Sequence, residues 1–219
     1  MSIGFSFYLW KMQKILIYFF LFFCLAILWS CASITGFEEA RTVGEGNHEI
    51  NPSLNAAVVN NFFSDDEEFF YPKLDIKYRY GLTENLDLGV RASSTFNLGA
   101  FAKAKIWDSE DGTVALGGGL EFASTLGVSF ETHLPLFFSY YPNDNVTFNF
   151  SPRLINLFVI EFTDEENFTY LGANTGLLIG KGNTRVGFDL GFYSSVRENR
   201  SYLITAGVGV KFKIVPTRY

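Results

Sequence analysis

The sequence predicts an all-β fold: a closed, antiparallel, up-and-down barrel of about ten strands, in a range of roughly eight to twelve, behind an N-terminal signal segment. Three observations carry that prediction. Beyond Glu38 apolar residues recur at every second position with no helical stretch, turn-forming clusters divide the chain at regular intervals, and a short positive region followed by an apolar run precedes Cys31. A period of two places successive side chains on opposite faces of a strand, whereas a helix needs a recurrence near 3.6.

The signal segment comes first. Lys11 and Lys14 stand before an unbroken apolar run from Ile15 to Trp29, and no acidic residue occurs ahead of Glu38. Such a run is shorter than the about 20 residues of a membrane span and matches a secretory signal. A start at Met12 gives it a more ordinary length. The run ends on Leu28-Trp29-Ser30-Cys31, which resembles the lipobox of bacterial lipoproteins, with Trp29 where a small residue is usual. The resemblance implies cleavage before Cys31 and acylation of its thiol; a buried free thiol is the competing reading. Cys24 lies in the removed segment, so no intramolecular disulfide is expected. The expected organisation is a signal at 1–30, a periplasmic linker at 31–46 and one barrel at 47–219, a length that suits a single domain.

Strands are expected at 47–59, 71–81, 86–93, 97–107, 113–123, 130–140, 146–159, 169–179, 185–194 and 201–214. In "YPKLDIKYRYG" Leu74, Ile76, Tyr78 and Tyr80 alternate with Lys73, Asp75, Lys77 and Arg79. "NLDLGVRA" sets Leu86, Leu88, Val90 and Ala92 against Asp87, Gly89 and Arg91, and Leu98 to Ile106 alternate with Gly99, Phe101, Lys103 and Lys105. The last segment opposes Tyr202 through Ile214 to Gly207, Gly209, Lys211 and Lys213. "GLTEN", "DSEDGT", "YPNDN" and "GKGNT" mark short turns between them. Two acidic stretches, 60–70 and 161–168, are expected to be loops. Pro52, Pro135 and Pro152 fall inside strands, where bulges or strand ends are expected because proline cannot donate to a ladder.

Alternation alone leaves open which face is inside. Three features favour an apolar exterior and so a transmembrane barrel. Glycines interleave with charges on the polar face, which suits a crowded lumen better than a solvated surface. Several segments approach the about 9 to 11 residues of a membrane strand. Aromatic residues gather near strand ends, with Phe62, Phe63, Phe70, Tyr71, Phe168, Tyr170, Tyr193 and Tyr202 at one end and Tyr80, Trp107, Tyr140 and Tyr141 at the other, as in aromatic girdles. An even strand number returns both chain ends to one side, expected to be periplasmic, with the acidic loops outside.

Segments such as "LDIKYRYGLTENLDLGVRA" make the chain similar to the small outer-membrane β-barrel proteins of Gram-negative bacteria, and "ARTVGEGNHEI" at 40–50 resembles the entry segment of their lipid-modified members. Tyr219 resembles their terminal aromatic, although Pro216 interrupts the alternation before it. The resemblance implies outer-membrane lipid and the barrel-assembly machinery as partners, and a surface ligand of unknown kind.

A net charge of −6, more negative once Lys11 and Lys14 are lost, argues against nucleic acid. No cofactor is implied, and no metal: the acidic runs at 65–68 and 164–166 lack a ligand spacing, and "DSEDG" lacks the later glutamate of a calcium loop. A lumen charge network is expected from Lys73, Asp75, Lys77, Arg79, Asp87, Arg91, Lys103, Lys105, Glu121, His133, Asp189, Lys211 and Lys213. His133 and Glu121 face each other if the hairpin turns about Gly127, which makes them the candidates for catalysis. Glu131, two residues from His133 along one strand, is set about 6.6 to 6.8 Å away and so is not expected to pair with it. The function expected is a non-enzymatic barrel lipoprotein with a structural, narrow-transport or surface-interaction role. The alternatives are a lipid-modifying hydrolase or acyltransferase using His133, and a soluble lipocalin-like carrier with the faces reversed.

Overall fold

A computed structural model describes residues 37–60, 68–125, 128–160, 165–196 and 201–216; the expected signal segment, Cys31, Phe62, Phe63, the acidic residues 65–67, Asp164 and Tyr219 lie outside the described residues. Ten antiparallel strands form a closed barrel: β1 (His48–Asn60), β2 (Glu68–Thr83), β3 (Leu86–Ser93), β4 (Asn97–Asp108), β5 (Val114–Thr125), β6 (Ser129–Asn143), β7 (Val146–Ile160), β8 (Glu165–Lys181), β9 (Thr184–Ser195) and β10 (Tyr202–Ile214). Each strand pairs with its sequence neighbours, and β1 pairs with β10 to close the seam, Leu54 opposite Val208 and Val58 opposite Ile204. Closure removes the free edge that an open sheet would present.

The strands reach further at one end than their side chains suggest. Glu68 pairs with Asn60 and Glu165 with Ile160, so the backbone ladder continues into stretches expected to be acidic loops. A backbone donor satisfied by a cross-strand carbonyl gains from pairing whatever charge its side chain carries. The opposite end holds the four short turns together with His48 and Ile214; it is called the turn end below.

The prolines correct one expectation. Pro52, Pro135 and Pro152 sit inside β1, β6 and β7 with no register shift. Pro52 pairs with Ile76 on one side, while on the other the β1–β10 partners pass from Ile50 with Phe212 to Ser53 with Gly209. Pro152 pairs with Ala173, and the β6–β7 partners pass from Pro135 with Arg153 to Phe138 with Phe150. The missing N–H interrupts one ladder locally and the other ladder holds the strand. Register shifts occur instead near the turn end, at Gly81/Thr83, Lys105/Trp107 and Tyr140/Asn143.

Burial fixes the faces. Lys73, Asp75 and Lys77 are each 3% exposed, whereas Leu74 and Ile76 between them are 61% and 50% exposed. An apolar exterior around a charged interior is the reverse of a soluble barrel's arrangement, and it removes the apolar cup a lipocalin-like carrier needs. Outside, Tyr80, Trp107 and Tyr140 stand exposed near the turn end, with Tyr140 stacked on Phe148 at 6.5 Å between ring centroids. Near the other end Phe192 and Tyr202 stack at 6.4 Å, and Phe70 on β2 is exposed. Tyr71, Tyr141, Tyr170 and Tyr193 do not join these girdles: they point inward and are buried.

Candidate functional site

The interior is filled in three layers. At the loop end an apolar plug is built from Ala57, Val59, Tyr71, Ile155, Tyr170, Tyr193 and Leu203, with Phe168 packed against it. These positions follow the inward parity of their strands, Tyr71 two residues before Lys73 and Tyr193 two after Gly191.

The middle layer alternates charge. Asp87 lies 3.9 Å from Arg79, Arg79 3.6 Å from Glu38, and Glu38 2.9 Å from Lys77. Lys77 lies 3.6 Å from Glu121, which Arg91 meets at 2.5 Å; Arg91 then reaches Glu131 at 3.6 Å, and Glu131 pairs with His133 at 3.0 Å. Buried charges persist only when paired in this way, since an isolated one would cost several kcal/mol. Asn55 donates to Asp75 at 2.6 Å and Asn174 to Asp189 at 2.5 Å, so the remaining acids on the other wall are met by amides.

The third layer comes from outside the strands. Residues 37–43 lie in the lumen toward the turn end and leave it through a turn at Gly44 and Gly46, both at positive φ (85° and 73°). Phe37, Glu38, Ala40 and Val43 are buried there. Glu39 bonds Arg185 at 2.9 Å and Lys211 at 3.2 Å, and Arg185 also donates to Thr147. Arg41 makes two 2.9 Å bonds to Asp108, donates to the Gly112 carbonyl and lies 4.0 Å over the Tyr141 ring. Wall side chains also meet the main chain of the segment: Lys103 donates to the carbonyls of Glu39 and Arg41, Ser139 accepts from the Ala40 N–H at 2.7 Å, and Asp87 accepts from the Val43 N–H. Burial pushes the Glu39 carboxyl up, but Lys211, Arg185 and Lys103 outweigh it and bring its pKa down from 4.5 to about 2. Glu38 is likewise lowered against burial, by Lys77, Arg79 and Lys103.

Glycine clears the way. A Cβ at Gly187 or Gly207 would stand 2.7 or 2.9 Å from the Phe37 ring, and one at Gly117 would stand 2.8 Å from the Ala40 carbonyl oxygen. Much of the room on the polar face is therefore taken by this segment rather than by long charged neighbours alone.

Of the residues expected in the lumen, Lys73, Asp75, Lys77, Arg79, Asp87, Arg91, Lys103, Glu121, His133, Asp189 and Lys211 are buried inside. Lys105 and Lys213 are half-buried near the turn-end mouth, where Lys213 lines an outer pocket with Glu49, Asp144 and Arg185. Glu121 does pair in register with His133, but the hydrogen bond of the imidazole goes to Glu131, which corrects the expectation drawn from strand spacing. His133 is fully buried. Glu38, Glu39 and Arg41 were missed because no period marks them. Glu49, Arg153 and Arg185 were missed although strand parity places them inside.

No protein-family model and no curated protein matches the chain. Solved structures do. The NanC porin superposes with a TM-score of 0.51 at 7% identity, over 74% of this chain and 100% of that one. An outer membrane channel from Pseudomonas putida F1 gives 0.49 at 10% identity, over 83% and 100%. The attachment invasion locus protein of Yersinia pestis gives 0.39 at 13% identity, over 78% and 99%. The fold defined by these strands and faces is that of the outer-membrane β-barrels. At such identities the likeness extends to the fold alone.

Proposed function

We propose that the chain is a non-enzymatic outer-membrane β-barrel lipoprotein, anchored at Cys31 and sealed to free diffusion, whose role is structural or surface-presenting. The observation that carries this is the filled interior: an apolar plug, a paired charge layer and an inserted segment occupy the lumen in series, beneath an exterior that only lipid would solvate. Water-filled porin channels belong to barrels of roughly 16 or more strands, so ten strands with this filling favour a scaffold over a conduit. A catalytic His133 would need access to substrate, and its imidazole is enclosed and engaged by Glu131. The even strand number sets the start of β1 and the end of β10 on the side of the short turns; in this reading that side is periplasmic and the longer connections face the cell surface.

The test is membrane fractionation with heat-modifiable gel mobility on the wild type and Cys31→Ala. The wild type is expected to resist salt extraction and to migrate as a folded band until boiled, and Cys31→Ala to lose lipid label while keeping that band. Release by salt alone would refute the membrane barrel, and an unchanged lipid label in the variant would refute the anchor.

A further inference from the structure

We propose that the turn-end mouth is a recognition site for an extended acidic peptide, occupied at rest by the protein's own residues 37–43. The inference goes beyond the sealed-scaffold reading, shares with it only the presence of this segment in the lumen, and rests on how the segment is held. The main chain of the segment is met by wall side chains, Lys103, Ser139 and Asp87, and by no strand ladder. That is how a site holds a peptide rather than how a sheet adds a strand.

Charge sets the occupant. Lys77, Arg79, Lys103, Arg185 and Lys211 converge on the two adjacent glutamates, directly or through their carbonyls, while Glu49, Asp87 and Glu121 are the acids beside them on that wall. With the segment withdrawn, this wall carries an excess of cations that a peptide with paired carboxylates would neutralise. Asp108 and the Tyr141 face then read a basic residue further along. A hinge is built in: Gly44 and Gly46 take the left-handed conformations that turn the segment toward β1, and Glu45 between them is exposed. Swinging about that hinge leaves the β1 ladder untouched. The tether keeps the resident at an effective concentration on the order of millimolar, so a free peptide competes once the tether is cut.

The experiment uses the full chain carrying Cys31→Ala and a specific protease site placed at Glu45, purified folded in detergent micelles, cleaved, and equilibrated with a fluorescein-labelled peptide of residues 35–45. Anisotropy is expected to show one labelled peptide per barrel with release of the native segment. A peptide with glutamine at both glutamate positions is expected to bind at least about tenfold more weakly, as loss of charge-assisted bonds implies. Retention of the cleaved segment in a barrel that keeps its folded gel mobility, or equal binding of the glutamine peptide, overturns the proposal. Should cleavage unfold the barrel, the intact chain with Glu38→Lys and Glu39→Lys is titrated with the same labelled peptide; binding supports the site and no binding overturns it.

Discussion

Gly81 shows how a single residue can govern the hinge of the inserted segment. A Cβ at this position would lie 1.9 Å from the Gly44 carbonyl oxygen and 2.6 Å from its carbon, both backbone atoms that cannot rotate aside. Gly81→Ala must therefore displace the hinge, costing about 1–3 kcal/mol as overpacking does, and the folded band is expected to melt at lower temperature while the strands persist. Glu39 supplies a second prediction. Its carboxyl is lowered from 4.5 to about 2 in the folded protein, so its contribution is full above the ordinary value and is lost as pH falls toward the lowered one. Hydrogen exchange at the Ala40 N–H, corrected for its intrinsic rate, is expected to be protected at pH 6 and to lose protection between about pH 4.5 and 2; constant protection to pH 3 would remove Glu39 from the docking. The pairing of Glu131 with His133 carries a lesson at the same scale. Strand spacing measures backbone positions, and two long side chains on one face close that distance by leaning together.

At the level of elements, the ten strands were legible because each alternates and each ends on turn chemistry, so period and punctuation agree. Parity also sorts the aromatic residues near the strand ends. Tyr71, Tyr141 and Tyr193 share the inward face with Lys73, Ser139 and Gly191, and position near a strand end outweighed that phase in assigning them to a girdle. The segment 37–43 could not be read in this way, because a chain held by another element's side chains has no period of its own. Pro152 tests the tolerance of the ladder. One of its two pairings is already interrupted with the register unchanged, so Pro152→Ala would add one hydrogen bond and free the unfolded chain, effects of opposite sign. The expected change in unfolding free energy is under about 1 kcal/mol, with a newly protected amide at position 152 in hydrogen exchange. A larger loss would mean that the proline ring itself shapes β7.

For the whole molecule, the order of the layers decides what would open it. The aromatic plug fills the loop end and the inserted segment fills the turn end, so the two lie in series and each is expected to seal the barrel alone. In a planar bilayer the wild type is expected to show no steady conductance. Tyr193→Ala, which truncates a fully buried ring in the plug at a cost of about 3–5 kcal/mol, is expected to remain closed because residues 37–43 still block the other end. Glu38→Lys with Glu39→Lys is expected to remain closed as well, since like charge then ejects the segment but leaves the plug. Combining the three substitutions removes both seals and leaves a wall rich in Lys77, Arg79, Lys103 and Lys211, so small, anion-preferring conductance steps are expected from that variant alone, with its folded gel mobility checked first. Conductance in either parent variant would show that one layer carries the whole barrier, and a silent, folded triple variant would show that the wall side chains left between them are themselves a seal.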